Sequence, residues 1–322
     1  MDLIRNNPHF SRNLVVWNDE YSGKFEPPPT GYAQQFDLQW HLALRNPSYW
    51  QNPGVSTDEK YINDRVYEWT GTHPDGINGF HDSSSGSRKL DHPVDPSLIS
   101  GKRCIDVGCG LGRWTRVMQK IGAKEVLSVD MSPSAIEGTR KYNPQCFQTD
   151  IMRIPQEHPD WVGAFDFANL WGVAMCTHDP RAAFLSAAST VKRGGSFYLM
   201  VYAPDSLHDR PLTILQRKTF HELTTVEERL KYVEHVWNRE WDWSYPFRAN
   251  IDHALANLTG QPKGGQVGVL DMLEPFYNWV IPLDVIRNWM DAATFRRLVW
   301  LNEFEPKELR CAYHVLGLEK GV

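Results

Sequence analysis

Three glycines spaced two residues apart, Gly108, Gly110 and Gly112, form the most informative pattern in the sequence. They follow an apolar run that contains an acid, Asp106. Glycine tolerates positive φ and lets a ligand approach the backbone, and a helix that begins after such a turn has N–H groups without partners. The pattern therefore predicts a site for a ligand with a polar or anionic end, and an adenosine-bearing cofactor is the leading candidate.

The spacing separates two kinds of cofactor. A dinucleotide-binding turn, G-x-G-x-x-G, would need its third glycine at position 113, which is Arg113. Here the third glycine comes one residue early and an acid precedes the turn. This D-x-G-x-G-x-G pattern resembles motif I of the class I S-adenosylmethionine-dependent methyltransferases. A tight turn without a ligand would use the same glycines, so residues further along the chain decide between the two.

Two further acids stand where such a cofactor needs them. Asp130 ends a predicted strand about twenty residues after the glycines, where a carboxylate can accept from both ribose hydroxyls. Asp150 ends the next predicted strand, where it can accept from the adenine amine while the N–H of Ile151 meets a ring nitrogen. Either acid alone is more often a turn or cap residue. Their conjunction with the glycines favours the cofactor site.

The resemblance continues through residues 165–173, which are similar to motif IV, and 192–195, which are similar to the turn before the fifth strand, with Arg193 where proline is usual. Residues 58–70 resemble a stretch seen ahead of motif I in some bacterial members. The resemblance implies S-adenosylmethionine as cofactor and no metal. It implies these cofactor-binding residues: Asp106, Gly108, Gly110, Gly112, Asp130, Met131, Asp150, Ile151, Leu170 and Trp171, with Tyr61 and Arg65 covering the methionine end.

The catalytic residues are less determined. Some members of the family have a pair of histidines after motif IV, but here those positions are Met175 and Cys176. Methyl transfer is an in-line displacement, and a base is needed only when the acceptor must lose a proton. The candidates are His178, His208 and Tyr202, and each also reads as an ordinary loop or packing residue.

The elements that must position these residues alternate as strand and helix from residue 99 onward, which is typical of a parallel sheet covered on both faces. We expect an α/β fold with a seven-stranded, mostly parallel sheet of the class I methyltransferase type. The predicted regions are an N-terminal extension (1–98), a cofactor-binding core (99–203), a helical insert after the fifth strand (204–280) and the C-terminal part of the sheet (281–322). The predicted strands cover 102–107, 125–130, 146–150, 165–171, 196–203, 296–302 and 312–318.

The composition of the chain limits the classes of partner that it is expected to bind. The chain has 322 residues and a net charge of −5, which argues against gripping nucleic acid by charge. No apolar run approaches the roughly 18 residues of a membrane span, and residues 1–10 lack a signal-peptide core, so a cytoplasmic protein without membrane attachment is expected. Five cysteines without a CxxC pair predict reduced thiols.

Both appended regions are rich in aromatic residues, which suit planar or sugar rings but also serve to fix irregular segments to a core. We therefore expect transfer of a methyl group to oxygen or nitrogen of a small sugar-containing or secondary-metabolite acceptor. An RNA or protein methyltransferase, a non-catalytic S-adenosylmethionine- or nucleotide-binding protein, and an oxidoreductase disfavoured by Arg113 are the alternatives. The oligomeric state is open, and a homodimer is one option. The aromatic residues are Trp17, Tyr21, Tyr32, Phe36, Trp40, Trp50, Tyr61, Tyr67 and Trp69 in the extension, and Trp237, Trp241, Trp243, Tyr245, Phe247, Tyr277 and Trp279 in the insert.

Overall fold

A single sheet organises the protein. The computed structural model describes residues 6–45, 56–79, 90–239, 265–306 and 310–322. Seven strands of these residues form one sheet in the order β3-β2-β1-β4-β5-β7-β6, in which β7 runs antiparallel to both of its neighbours. The predicted α/β fold with a mostly parallel seven-stranded sheet is confirmed. The strands are β1 Arg103–Val107, β2 Glu125–Asp130, β3 Cys146–Gln148, β4 Phe165–Trp171, β5 Val191–Tyr202, β6 Phe295–Trp300 and β7 Ala312–Lys320.

Helices connect the strands, and two of their starts follow from the sequence. Ser132 accepts a hydrogen bond from the N–H of Ala135 at 3.1 Å, and Asp179 accepts one from Ala182 at 2.9 Å, each ahead of a proline in the first helical turn. The helices are α1 Pro8–Arg12, α2 Tyr32–Arg45, α3 Glu59–Thr70, α4 Arg113–Ile121, α5 Pro133–Arg140, α6 Ile154–Glu157, α7 Pro180–Ser189, α8 Pro211–Glu222, α9 Val226–Arg239, α10 Gly265–Leu273 and α11 Leu283–Ala292.

The N-terminal segment is fixed to the residues that precede α11. Val16 forms an isolated parallel bridge with Val280, and the N–H of Trp17 donates to the carbonyl of Val280 at 2.9 Å. The rings of Trp17 and Trp279 lie 5.1 Å apart, and both are fully buried. For these two tryptophans, the structure supports the packing interpretation rather than a role in binding.

The start of β5 differs from the sequence-based expectation. Residues 192–195 were expected to form the turn before a fifth strand over 196–203. Instead, α7 ends at Ser189 and β5 already begins at Val191. Val191 pairs with Phe165, and the register then shifts, with Gly194 at φ +75°. The glycines thus form an irregularity within the strand, which is a common use of glycine in sheets.

Several of the aromatic residues named above fall outside the described residues: Trp50, Trp241, Trp243, Tyr245 and Phe247. The division of the chain into four regions stays a prediction. No helix among the described ranges is long and apolar enough to cross a membrane. Across the same ranges, no cluster of histidine, cysteine and acidic side chains is arranged to hold a metal ion.

Candidate cofactor and acceptor site

A cavity of about 710 Å³ lies at the carboxyl ends of β1, β2, β4 and β5. It extends from the turn between β1 and α4 to β7, and residues of α2, α3 and α10 complete its wall. Open α/β sheets bind ligands at this edge. Of the residues expected from the sequence, the cavity brings together Arg65, Gly108, Gly110, Asp130, Met131, Ile151, Trp171 and Tyr202.

The turn at residues 108–112, here the glycine turn, leaves no room for side chains. Gly108 and Gly110 have φ values of +77° and +54°, which L-residues rarely adopt. A Cβ on Gly108 would stand 2.3 Å from Val173 Cγ2, and one on Gly110 would stand 2.9 Å from Trp40 Cζ2. The backbone of the turn is therefore open to a ligand on the cavity side and covered by Trp40 of α2.

Asp130 holds the glycine turn and keeps capacity for a ligand. Its Oδ2 accepts from the N–H of Gly110 and its Oδ1 from the N–H of Ser132, both at 2.9 Å. Each carboxylate oxygen has a second lone pair, so both can also accept from hydroxyl groups. Burial raises the pKa of Asp130 to about 6. The arrangement fits two neighbouring ribose hydroxyls.

Asp106 is placed differently from Asp130. Thr115 donates to its Oδ2 at 2.7 Å and Asn169 donates to its Oδ1 at 2.8 Å. Its exposed fraction is 1%, and burial raises its pKa. Asp106 does not line the cavity, because its carboxylate ties α4 and β4 to β1 beneath the glycine turn. It supports the turn and stands apart from the ligand space.

Of the two residues predicted to bind the adenine, one lines the cavity and the other does not. Ile151 lines the cavity. Asp150 does not line it, since its Oδ1 accepts from the N–H of Met152 at 2.9 Å and caps a short 3-10 helix.

Three other expected residues also lie outside the cavity wall. Gly112, at φ +89°, lies against Thr139, and Leu170 is completely buried within β4. The ammonium group of Lys60 lies over the ring of Tyr61, 4.4 Å from the ring centroid. These placements follow from packing around the glycine turn and α3.

Two arginines line the cavity, and within the part of the chain that the structure describes only Arg65 has an ion-pair partner. Arg65 Nη1 donates to Glu68 Oε2 at 2.5 Å, and both side chains are 6% exposed. Arg113 lines the cavity with its guanidinium 4.4 Å from the centroid of the Trp171 ring. Its Nε has no hydrogen-bond partner among the described residues, and burial lowers its pKa to about 9. Sequence analysis did not assign a binding role to Arg113.

The three predicted bases are not brought together. His178 Nδ1 lies 2.6 Å from Tyr32 Oη, and His178 is not part of the cavity wall. Tyr202 lines the cavity, while His208 stacks behind it with ring centroids 3.4 Å apart. Burial raises the pKa of Tyr202 well above 10 and lowers that of His208 to about 3. At neutral pH both groups are therefore uncharged.

His314 of β7 is a cavity residue that the sequence analysis missed. Its Nδ1 lies 2.8 Å from Tyr198 Oη, and burial lowers its pKa to about 4. The pairing of Met200 with His314 places it beside the end of β5. The run 312–318 carries no motif, so only the sheet register reveals this position.

These residues fit S-adenosylmethionine. The glycine turn admits its amino-acid end, Asp130 suits its ribose, and the unpartnered Nε of Arg113 suits an anionic group. When bound, the cofactor supplies an electrophilic methyl group. The chain contributes binding and orientation, and the walls formed by Trp40, Trp171 and Tyr202 exclude water.

Comparison with known proteins agrees with this geometry. Residues 87–308 match the methyltransferase-domain family. The ubiquinone biosynthesis O-methyltransferase of Xanthomonas campestris is 27% identical over 114 residues, which are 34% of this chain and 47% of that protein. The ribosomal protein L11 methyltransferase of Burkholderia lata is 31% identical over 184 residues, which are 57% of this chain and 53% of that protein. The chain thus spans about half the length of these curated relatives. Magnesium protoporphyrin IX methyltransferase of Synechocystis PCC 6803 with bound SAH aligns with a TM-score of 0.39 at 14% identity, over 69% of this chain and 76% of that one.

The family match covers well over half of the chain. The chain therefore belongs to the S-adenosylmethionine-dependent methyltransferase family. The predicted family, enzyme class and cofactor are confirmed at the level of the family. The oxidoreductase alternative is left without support.

Proposed function

We propose that this chain transfers the methyl group of S-adenosylmethionine to oxygen or nitrogen of a small molecule with a planar or sugar ring. The observation that carries the proposal is the single cavity of about 710 Å³ that joins the glycine turn to the aromatic side chains of Trp171, Tyr202 and Phe304. This volume is within the range of roughly 300–1,000 Å³ typical of small-molecule sites. One cavity thus offers space for the cofactor and for a compact acceptor.

The charge of the site also supports a small acceptor. Its wall contains five carboxylates, Glu68, Asp91, Asp130, Asp271 and Glu305, against two arginines, and the whole chain has a net charge of −5. Phosphate backbones need clustered positive charge, so RNA is a poor match. The relative in ubiquinone biosynthesis is named as an O-methyltransferase, which supports oxygen as the acceptor atom.

The proposal is tested by incubating the protein with methyl-labelled S-adenosylmethionine and a cell extract separated into small molecules, RNA and protein. We expect label only in the small-molecule fraction and none with Asp130→Ala. Label in the protein fraction would instead favour a protein acceptor, as in the relative named as an L11 methyltransferase. Binding of S-adenosylhomocysteine (SAH) by calorimetry without any labelled product would support the non-catalytic alternative.

A further inference from the structure

Arg113 is a buried cation that has no ion-pair partner among the described residues. No carboxylate of the described ranges lies within ion-pair distance of its guanidinium, and its Nε has no hydrogen-bond partner there. The guanidinium lies over Trp171 at 4.4 Å, which occupies its face and leaves the N–H groups at its edge. Burying such a group without a paired carboxylate is costly, and Glu68, Asp271 and Asp106 act on its charge only from beyond ion-pair distance. Its position one residue after the glycine turn indicates a ligand that supplies the counter-charge.

Asp271 is the complementary charged group of the same cavity. It belongs to α10, far along the chain from the glycine turn, and it lines the same cavity as Arg113. Burial raises its pKa, and Arg113 and Gln39 oppose that rise. Arg113 and Asp271 thus act on each other through charge but do not form an ion pair. The space between an unpaired cation and a carboxylate suits a zwitterion.

We propose that Arg113 binds the carboxylate, and Asp271 the ammonium group, of the amino-acid end of S-adenosylmethionine. This inference rests on the proposed function and deepens it. Guanidinium groups bind carboxylates through parallel N–H groups, and a carboxylate accepts from an ammonium group. Asp271 belongs to α10, in the predicted insert, so the insert supplies half of the zwitterion site. The bound cofactor therefore contacts both α10 and the core.

Arg65, the arginine that the sequence favoured for the methionine end, has a different part. Its charge is satisfied by Glu68 at 2.5 Å in a buried pair. A ligand carboxylate at Arg65 would have to compete with that pair, whereas Arg113 has no such competitor. We therefore assign Arg65 to holding Glu68 and α3 in place.

Three ligands distinguish the contribution of Arg113 to binding from that of Asp271. SAH has both groups, its decarboxylated analogue has only the ammonium group, and 5′-methylthioadenosine has neither. Measured by calorimetry, Arg113→Met should weaken the binding of SAH about 10- to 100-fold. It should change the affinity for the other two ligands by less than about twofold. Asp271→Asn should weaken the binding of SAH and of the decarboxylated analogue by similar factors and leave the binding of 5′-methylthioadenosine unchanged. Retained binding of 5′-methylthioadenosine shows that each variant is folded.

Matched controls are Arg116→Met, which changes an arginine of the same helix outside the cavity wall, and Asp291→Asn, which changes an exposed acid of α11. Both should bind all three ligands as the unaltered protein does. Equal weakening of SAH and 5′-methylthioadenosine by Arg113→Met, or no weakening of either, overturns the inference. Failure of the unaltered protein to bind any of the three ligands would overturn the proposed function instead.

Discussion

The pKa of Asp130 makes cofactor binding depend on pH in a calculable way. Burial raises this pKa to about 6, although the N–H groups of Ser132 and Gly110 oppose the rise. Ribose hydroxyls donate to the ionised carboxylate, so binding selects the deprotonated form. With a pKa of about 6, roughly one carboxyl in eleven is ionised at pH 5. The affinity should therefore be about 11-fold weaker at pH 5 than on the plateau above pH 7.

The assay is calorimetry with 5′-methylthioadenosine between about pH 5 and pH 8, where the folded protein is first verified by its melting temperature. This ligand carries the ribose but no amino-acid end, so the titration of Asp271 does not enter. Asp130→Asn keeps the shape of the side chain but removes its charge. Its affinity should be independent of pH and about 10- to 100-fold below that of the unaltered protein at pH 8.

Asp166→Asn is the control for the pH dependence. Asp166 stands at the opposite end of β4, where it pairs with Lys192 at 2.6 Å. Its pKa is lowered, because hydrogen bonds from Lys192 and Arg103 outweigh burial, so it does not titrate in this range. The control should retain the 11-fold change. A flat pH profile in the unaltered protein, or an equal slope in Asp130→Asn, would refute the ribose assignment.

Three further outcomes follow from the contacts. Gly110→Val should lower 5′-methylthioadenosine affinity at least about tenfold, because its Cβ would meet Trp40 at 2.9 Å and φ is +54°; unchanged calorimetry would contradict this. Arg65→Met should lower the free energy of urea unfolding by about 3–5 kcal/mol, since Glu68 would lose its buried ion-pair partner, and Arg65→Met with Glu68→Leu should recover much of this loss. His221 has a pKa of about 3 through burial and Arg217; because this pKa is depressed, its stability contribution is full above pH 6.5 and lost on acidification. Between pH 7.5 and 5.5 the unaltered protein should lose about 1.4 kcal/mol more than His221→Phe.

The central strands were predictable because their boundaries are set locally. β2 and β4 occupy the expected residues, 125–130 and 165–171, since each is an apolar run that ends at a turn or a helix start. The start of β5 was missed for the opposite reason. Residues 193–195 read as a turn by themselves, but Val191 before them pairs with Phe165 and Ser196 after them pairs with Phe167, so they form an irregularity inside β5. Local signals thus specify a strand wherever long-range pairing does not override them.

The residues of the site also fall into a group that local signals predict and a group that depends on long-range contacts. Gly108, Asp130 and Ile151 could be predicted because they stand at strand ends, whose positions follow from the sheet. Asp271 and His314 come from α10 and β7, and only the folded chain brings them to the glycine turn. No spacing rule links residues so far apart in sequence. The parts of the cavity wall that α10 and β7 contribute were therefore beyond prediction.

Aromatic residues show where composition fails to separate roles. Trp17 and Trp279 are buried in the core, while Trp40 and Trp171 line the cavity, although all four occur in similarly aromatic surroundings. An indole fixes a segment or forms a ligand wall with the same apolar surface. The difference lies in whether the opposite face of the ring meets another side chain or open space. That is a property of the tertiary structure.

Two residues of sheet register separate the two acids near the ends of β1 and β2. Asp130 is the last residue of its strand and reaches the cavity, whereas Asp106 is the last but one and reaches Thr115 and Asn169. β1 pairs with β2 so that Asp106 lies beside Ser128, two residues before Asp130. Alternate side chains of a strand share a face, so both carboxylates are on one face of the sheet and Asp130 lies two positions nearer the ligand edge. The acid that begins the motif therefore stabilises the turn, and the acid that follows twenty-four residues later serves the ligand.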